Sequence, residues 1–140
     1  MLTNTRLIRV QWGDCDPAGI VFYPRYFEWF DAGTILLFEK ATGMTKIRML
    51  EKYAGAGLAL VEASARFFVP SQYGDDIEIE TSVKEFGRSS FSMHHRVTKG
   101  GALALEGHEK RVWTARDPNN KHRLRSAPIP PAVLEGFKQP

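Results

Sequence analysis

Disulfide bonding has no part in this fold, because Cys15 is the only cysteine in the 140-residue chain. A lone thiol suits a reducing compartment, and the expectation is a cytoplasmic protein. No apolar run reaches the roughly 18 residues that cross a bilayer, so no membrane-spanning helix is expected. The opening Met1-Leu2-Thr3-Asn4-Thr5-Arg6 lacks the apolar core of a secretion signal. Internal repeats, low-complexity stretches and βαβ alternation are also missing, and the last absence argues against a Rossmann-type fold. Acidic excess is absent too: the formal charge is +3, and the last third carries Lys110, Arg111, Arg116, Lys121, Arg123 and Arg125 against few acids. Aromatics are not interleaved with those bases, so nucleic acid is not an expected partner. His94 and His95 are neighbours on a strand and point to opposite faces, which prevents joint ligation. No metal site is expected among His94, His95, His108 and His122.

A hydrophobic content of 43% supports one globular domain over residues 1–140, with a sizeable core. Residues 5–12 suit a first strand ending at Gly13. From Pro24 to Thr42, apolar residues at Tyr26, Trp29, Phe30, Gly33, Leu36, Leu37 and Ala41 recur at offsets of three and four. They draw one stripe along a helix of about five turns, with Gly43 placed to end it. Thr45 caps a short second helix to Tyr53, and Ala54-Gly55-Ala56-Gly57 reads as a flexible connector. Strands follow over 58–69, 77–83, 91–97 and 102–114, with turns at 86–89 and at Lys99-Gly100-Gly101. The tail from Pro128 to Phe137 reads as a turn and a closing helix. The fold class is therefore α+β: an antiparallel sheet, a meander of four long strands, wrapped around a long central helix.

The stretch Asp14-Cys15-Asp16-Pro17-Ala18-Gly19 precedes that helix. Pro17 fixes φ and Gly19 can take the positive φ of a turn. Pro24 suits the first helical turn, where a missing N–H costs nothing. Asp16 thus stands just before a helix N-terminus, whose free amides make an electropositive site. An Asp before a turn ordinarily caps it, so the run as a whole must carry the argument.

Asp14-Cys15-Asp16-Pro17-Ala18-Gly19-Ile20-Val21, followed by an aromatic, Tyr23-Pro24 and an aromatic helix, resembles the signature of the 4-hydroxybenzoyl-CoA thioesterase family, acyl-CoA hydrolases of the hotdog fold. Tyr73-Gly74-Asp75-Asp76, Lys84-Glu85-Phe86 with Arg88-Ser89-Ser90-Phe91, and Arg123-Leu124-Arg125 extend the resemblance over nearly the whole chain. It implies that Asp16 is the catalytic carboxylate, as nucleophile or as base toward water, and that the backbone N–H near Tyr23 polarises the thioester oxygen. Gly19, Phe22, Tyr26, Phe27 and Asp31 would bind the acyl part, either an aromatic group of the benzoyl type or a short-to-medium chain. Arg88, Ser89, Ser90, Arg123 and Arg125 would bind CoA, although Gly87 and Ser89 stand where other members are basic. The implied partner is acyl-CoA, without cofactor, metal or membrane. The implied assembly is a dimer joined side by side through its sheets, and a tetramer of such dimers. A non-catalytic module that binds acyl-CoA or acyl-carrier protein in the same groove is the alternative.

Overall fold

The computed structural model describes residues 1–139. Strand β1 (Thr3–Arg9) and a 3-10 turn (Trp12–Asp14) lead to helix α1 (Pro24–Thr42) and helix α2 (Lys46–Lys52). Strands β2 (Gly57–Phe67), β3 (Asp76–Phe86), β4 (Ser90–Lys99), β5 (Ala102–Asp117) and β6 (Asn120–Ser126) follow, before helix α3 (Pro131–Gly136). The strands form one antiparallel sheet in the order β1-β3-β4-β5-β2, with β6 also on β5.

Two expectations are corrected by this topology. Only β3, β4 and β5 form a meander; β2 lies on the far side of β5. The free edge of β3 is already taken by β1, in register from Thr3↔Ser82 to Arg9↔Asp76, which leaves β2 the outer edge of β5. The sheet also does not end at Thr114. Strand β5 runs on to Asp117 and pairs there with β6, beyond the end of β4. Every residue of β6 is exposed and only Leu124 is large and apolar, so no alternation marks it.

Helix α1 crosses the concave face of the sheet. Its buried residues are Tyr26, Phe30, Gly33, Thr34, Leu37, Phe38 and Ala41. Leu36, expected inside, is exposed, while Thr34 and Phe38 are buried instead. Gly33 permits the close approach, because a Cβ there would stand 2.6 Å from Thr81 Oγ1. Gly43 ends the helix at φ 69°, and Thr45 Oγ1 caps α2 by accepting from Arg48 N–H. The supposedly flexible connector is tied down: Gly55 packs on Trp113, and its N–H donates to Leu50 O at 2.9 Å.

The core has two apolar halves. Leu37, Phe38, Met49, Phe91, Met93, Trp113, Val133 and Phe137 fill one, toward the end of α1. Val10, Val21, Tyr26, Phe30, Ile77, Ile79, Val97 and Leu105 fill the other, at its start. Each fully buried Phe or Leu contributes about 1.5–3 kcal/mol of transfer free energy. Between the halves runs a buried polar band of Thr34, Thr81, His95, Glu109 and Arg111. This interrupts the apolar pattern once on each of α1, β3 and β4 and twice on β5.

Candidate active site at the start of the long helix

The acid-turn-helix stretch folds as a small hairpin against the β2–β3 loop. Asp16 N–H donates to Ile20 O and Gly19 N–H to Asp16 O, both at 2.9 Å. Gly19 sits at φ 85°, the left-handed region a side chain resists. Val21 N–H donates to Ser71 O at 2.9 Å, which fastens the hairpin to the loop. Asp16 Oδ1 accepts from Ala18 N–H at 2.9 Å, so one carboxylate oxygen braces the turn. Its second oxygen has no protein partner among the described residues. The capping role and an available carboxylate oxygen therefore coexist on one side chain.

Tyr23 already has helical dihedrals, φ −53° and ψ −34°. Arg25 N–H donates to Phe22 O and Tyr26 N–H to Tyr23 O, and Pro24 has no N–H. That leaves the Tyr23 amide without an acceptor among the described residues. Asp14 takes the turn role: its Oδ2 accepts from Gln11 N–H at 2.8 Å, and Arg25 Nε lies 3.5 Å from its Oδ1. Arg25 also donates to Gly13 O, so the guanidinium straps the start of α1 to the preceding turn.

Asp16 and Tyr23 line one cleft of about 330 Å³ with Ile20, Val21, Tyr26, Phe67, Phe68, Val69, Pro70 and Ser71. Tyr26 is buried, which pushes its phenol pKa up, and its ring meets Phe67 edge-on at 5.8 Å. Ser71 is fully buried beside Tyr26, and its hydroxyl meets no hydrogen-bond partner in good geometry among the described residues. Sequence reasoning missed the wall from Phe67 to Ser71. Its only sign was the run Phe67-Phe68-Val69, which reads equally well as strand. Of the expected acyl-binding set, Gly19 shapes the turn and Tyr26 lines the cleft. Phe22 is exposed beside Tyr23, and Phe27 packs on Phe30; neither lines this cleft. Asp31 lies further along α1, where it accepts from Arg111 at 2.8 Å. A larger hollow of about 550 Å³ beside Met1, Phe86 and α3 offers only Glu135 and Lys138, which pair with each other at 2.8 Å.

The expected CoA-binding residues gather at the opposite end of the sheet. Arg88, Ser89 and Ser90 form the β3–β4 turn and the start of β4. Ser89 O accepts from Trp113 N–H, and Arg88 O accepts from Ile129 N–H. Arg123 and Arg125 stand exposed on β6 beside them. The Asp16 cleft is reached at the other end of β5, where Phe68 N–H donates to Ala104 O. From Ala104 to Trp113 is about 30 Å at roughly 3.3 Å per residue. Within one chain the two sets do not meet.

The model of the thioesterase-like superfamily matches residues 10–137. The chain belongs to this family. It is 37% identical over 133 residues to the 4-hydroxybenzoyl-CoA thioesterase of Pseudomonas sp. strain CBS-3, covering 91% of this chain and 92% of the relative. An Asp-to-Asn variant of a 4-hydroxybenzoyl CoA thioesterase, solved with 4-hydroxybenzoyl CoA, superposes with a TM-score of 0.87 at 33% identity, covering 97% of this chain and 99% of the other. A gentisyl-coenzyme A thioesterase superposes at 0.81 and 34% identity, covering 96% and 99%. The sheet wrapped on α1 is thus the hotdog fold of this thioesterase family.

Two polar clusters in this family member escaped sequence reasoning. In the buried band, Glu109 Oε1 accepts from Thr34 Oγ1 at 2.8 Å and pairs with His95 Nε2 at 3.0 Å. Its Oε2 accepts from Arg111 at 2.7 Å, and Arg111 also donates to Leu58 O and Asp31. Burial alone would raise the Glu109 pKa, but His95 and Arg111 override it and hold the carboxyl down to about 2. Burial lowers the pKa of His95, whose ring stacks on Phe30 at 4.5 Å. On the outer face, His94 and His108 are register partners and converge on Glu106. His94 and His95 do point to opposite faces, but the second histidine facing His94 comes from β5. No helix among the described residues is long and apolar enough to cross a membrane.

Proposed function

We propose that this protein hydrolyses aromatic acyl-CoA thioesters to the free acid and CoA, with Asp16 as the catalytic carboxylate and the Tyr23 amide as oxyanion donor. The observation that carries the reading is the shared cleft. It holds a carboxylate with a free oxygen, an unpaired amide at a helix start, and aromatic walls. The named relatives act on 4-hydroxybenzoyl-CoA and gentisyl-CoA, and Tyr26, Phe67 and Phe68 suit a flat acyl group.

Asp16 either attacks the thioester carbonyl, giving an anhydride that water then cleaves, or removes a proton from the water that attacks. On both routes the C–S bond breaks, water supplies the new acid oxygen, and the thiolate of CoA leaves and is protonated. On both, charge grows on the thioester oxygen, where a fixed donor is worth about 10²–10³ in rate. No step is routed through a metal or an organic cofactor.

A second copy completes the site. Strand β2 is an open edge of 11 residues with Leu60, Val61 and Phe67 exposed, the kind of edge that pairs with another chain. Antiparallel pairing of β2 with its copy about a two-fold axis sets the Phe67 end of one chain beside the Gly57 end of the other. Gly57 is in register with Thr114, next to the Arg88 and β6 end. The partner's Arg88, Ser89, Ser90, Arg123 and Arg125 then come to the Asp16 cleft, and helix residues such as Asp31 face the shared boundary. We place the dimer, or a tetramer built from it, in the cytoplasm, where Cys15 stays reduced.

Release of free thiol from benzoyl-, hydroxybenzoyl-, phenylacetyl- and fatty acyl-CoA tests the proposal. Turnover fastest with the ring-bearing thioesters is expected. Tight binding of acyl-CoA without turnover of any substrate would make the protein a binding module and end the proposal.

A further inference from the structure

We propose that His94, Glu106 and His108 form a binding site for a zinc-class divalent cation on the outer face of the sheet, away from the hydrolytic cleft. His94 on β4 and His108 on β5 are directly opposed in the register, and their rings stack at 5.0 Å with 25° between planes. Glu106 reaches both from two residues before His108. Its Oε1 lies 2.9 Å from His94 Nε2 and 3.4 Å from His108 Nε2. Tetrahedral ligands at about 2.0–2.1 Å from zinc stand about 3.3 Å from one another, so these two separations already bracket that edge. The ligand atoms all lie within 4.8 Å of one another, and the half-exposed His108 ring is free to close the third edge.

The neighbourhood selects this cluster over a simpler one. Arg96 and Arg66 sit opposite Glu106 on either side in the register, yet the carboxylate turns to the two imidazoles. Along the histidine row the flanking residues are the small Ser82 and Ser64, and an ion would replace the 2.9 Å hydrogen bond that now joins His94 Nε2 to Glu106 Oε1. Two imidazoles and one carboxylate suit zinc and its neighbours, whereas magnesium and calcium call for all-oxygen ligands. Three protein ligands leave a position for water. Lys84 lines the same hollow and opposes a cation there. An ion bound here ties β4 to β5 and has no contact with Asp16.

The test uses the tag-free full chain freed of metal with a chelator. Zinc chloride is titrated by calorimetry, and cobalt chloride by visible absorption. One equivalent per chain is expected, with cobalt bands of nitrogen and oxygen ligation and no thiolate charge transfer. His94→Gln and His108→Gln each weaken binding by at least about tenfold, while Lys84→Gln tightens it. Circular dichroism of the metal-free variants should match the unaltered protein. In the unaltered chain, zinc should shift the ring-nitrogen resonances of His94 and His108. Absence of saturable binding up to about 1 mM would overturn the proposal. So would undiminished affinity in the His94→Gln/His108→Gln double variant, or zinc shifts confined to His122.

Discussion

Replacing Glu109 by Gln removes the charge that joins His95 and Arg111 beneath α1. Glu109 and Arg111 are each only 4% exposed, so the guanidinium would lose its bidentate partner with almost no water to replace it. Asp31 and Leu58 O remain as acceptors, but Asp31 is half exposed and holds Arg111 by one contact. Breaking a buried pair from one side costs about 3–5 kcal/mol. The pKa gives a second route to the magnitude. Glu109 moves from an ordinary 4.5 to about 2, a shift equivalent to about 3 kcal/mol at neutral pH. With an unfolding entropy of about 2.1 cal/mol/K per residue, a loss of about 3–5 kcal/mol lowers Tm by roughly 10–17 °C.

The sign with pH follows from the same shift. The folded pKa of Glu109 is depressed, so its stabilisation is complete above about pH 4.5 and fades as pH falls toward about 2. His95 is also held below its ordinary 6.5. The unfolded chain therefore takes up that proton first, and stability starts to fall just below pH 6.5. Denaturant unfolding from pH 8 to pH 3, at fixed protein concentration, should show both losses. Glu109→Gln should show a shallower lower one, because Asp75, Asp76 and Glu106 are also held below their ordinary values and keep their share of it. A variant within about 1 kcal/mol of the parent, with the same acid dependence below pH 4.5, would refute the reasoning.

Other substitutions test the packing, the CoA end and the edge. Gly107 lies under the Phe30 ring, which a Cβ would overlap, so Gly107→Ala should cost about 1–3 kcal/mol in denaturant melts. Arg88→Ala with Arg125→Ala should raise KM for acyl-CoA by at least about tenfold, the worth of one charged hydrogen bond, with kcat nearly unchanged. Val61→Arg on the open edge of β2 sets like charges face to face across a two-fold axis. Sedimentation should then show monomers, and activity should fall with the dimer. A dimer that persists at full activity would remove β2 from the shared site.

Much of this molecule was legible in its sequence, for identifiable reasons. The α1 boundaries were marked by Pro24 and Gly43, and β3 and β4 by alternation. The acid-turn-helix stretch carried, in order, the turn residues and the Pro24 helix start that bring Asp16 and Tyr23 to one cleft. Pairing was less legible, because it depends on which edge is vacant: the place of β2 follows from β1 occupying β3. Strand β6 has no buried face and therefore no pattern. The Glu109–His95–Arg111 band and the His94–Glu106–His108 cluster depend on register across strands, which spacing along one chain does not reveal. The wall from Phe67 to Ser71 reaches Asp16 only because the β2–β3 loop folds back onto the hairpin.

The claim on which the account rests is that Asp16 does chemistry beyond bracing its turn. Asn at position 16 keeps a side-chain oxygen for the Ala18 amide while removing the charge. Single-turnover hydrolysis of a bound aromatic acyl-CoA by Asp16→Asn is the direct measurement. The expected rate is at least about 10³-fold lower, with acyl-CoA affinity and Tm close to those of the parent. A rate within a few-fold of the parent would contradict it and leave Asp16 as a turn residue.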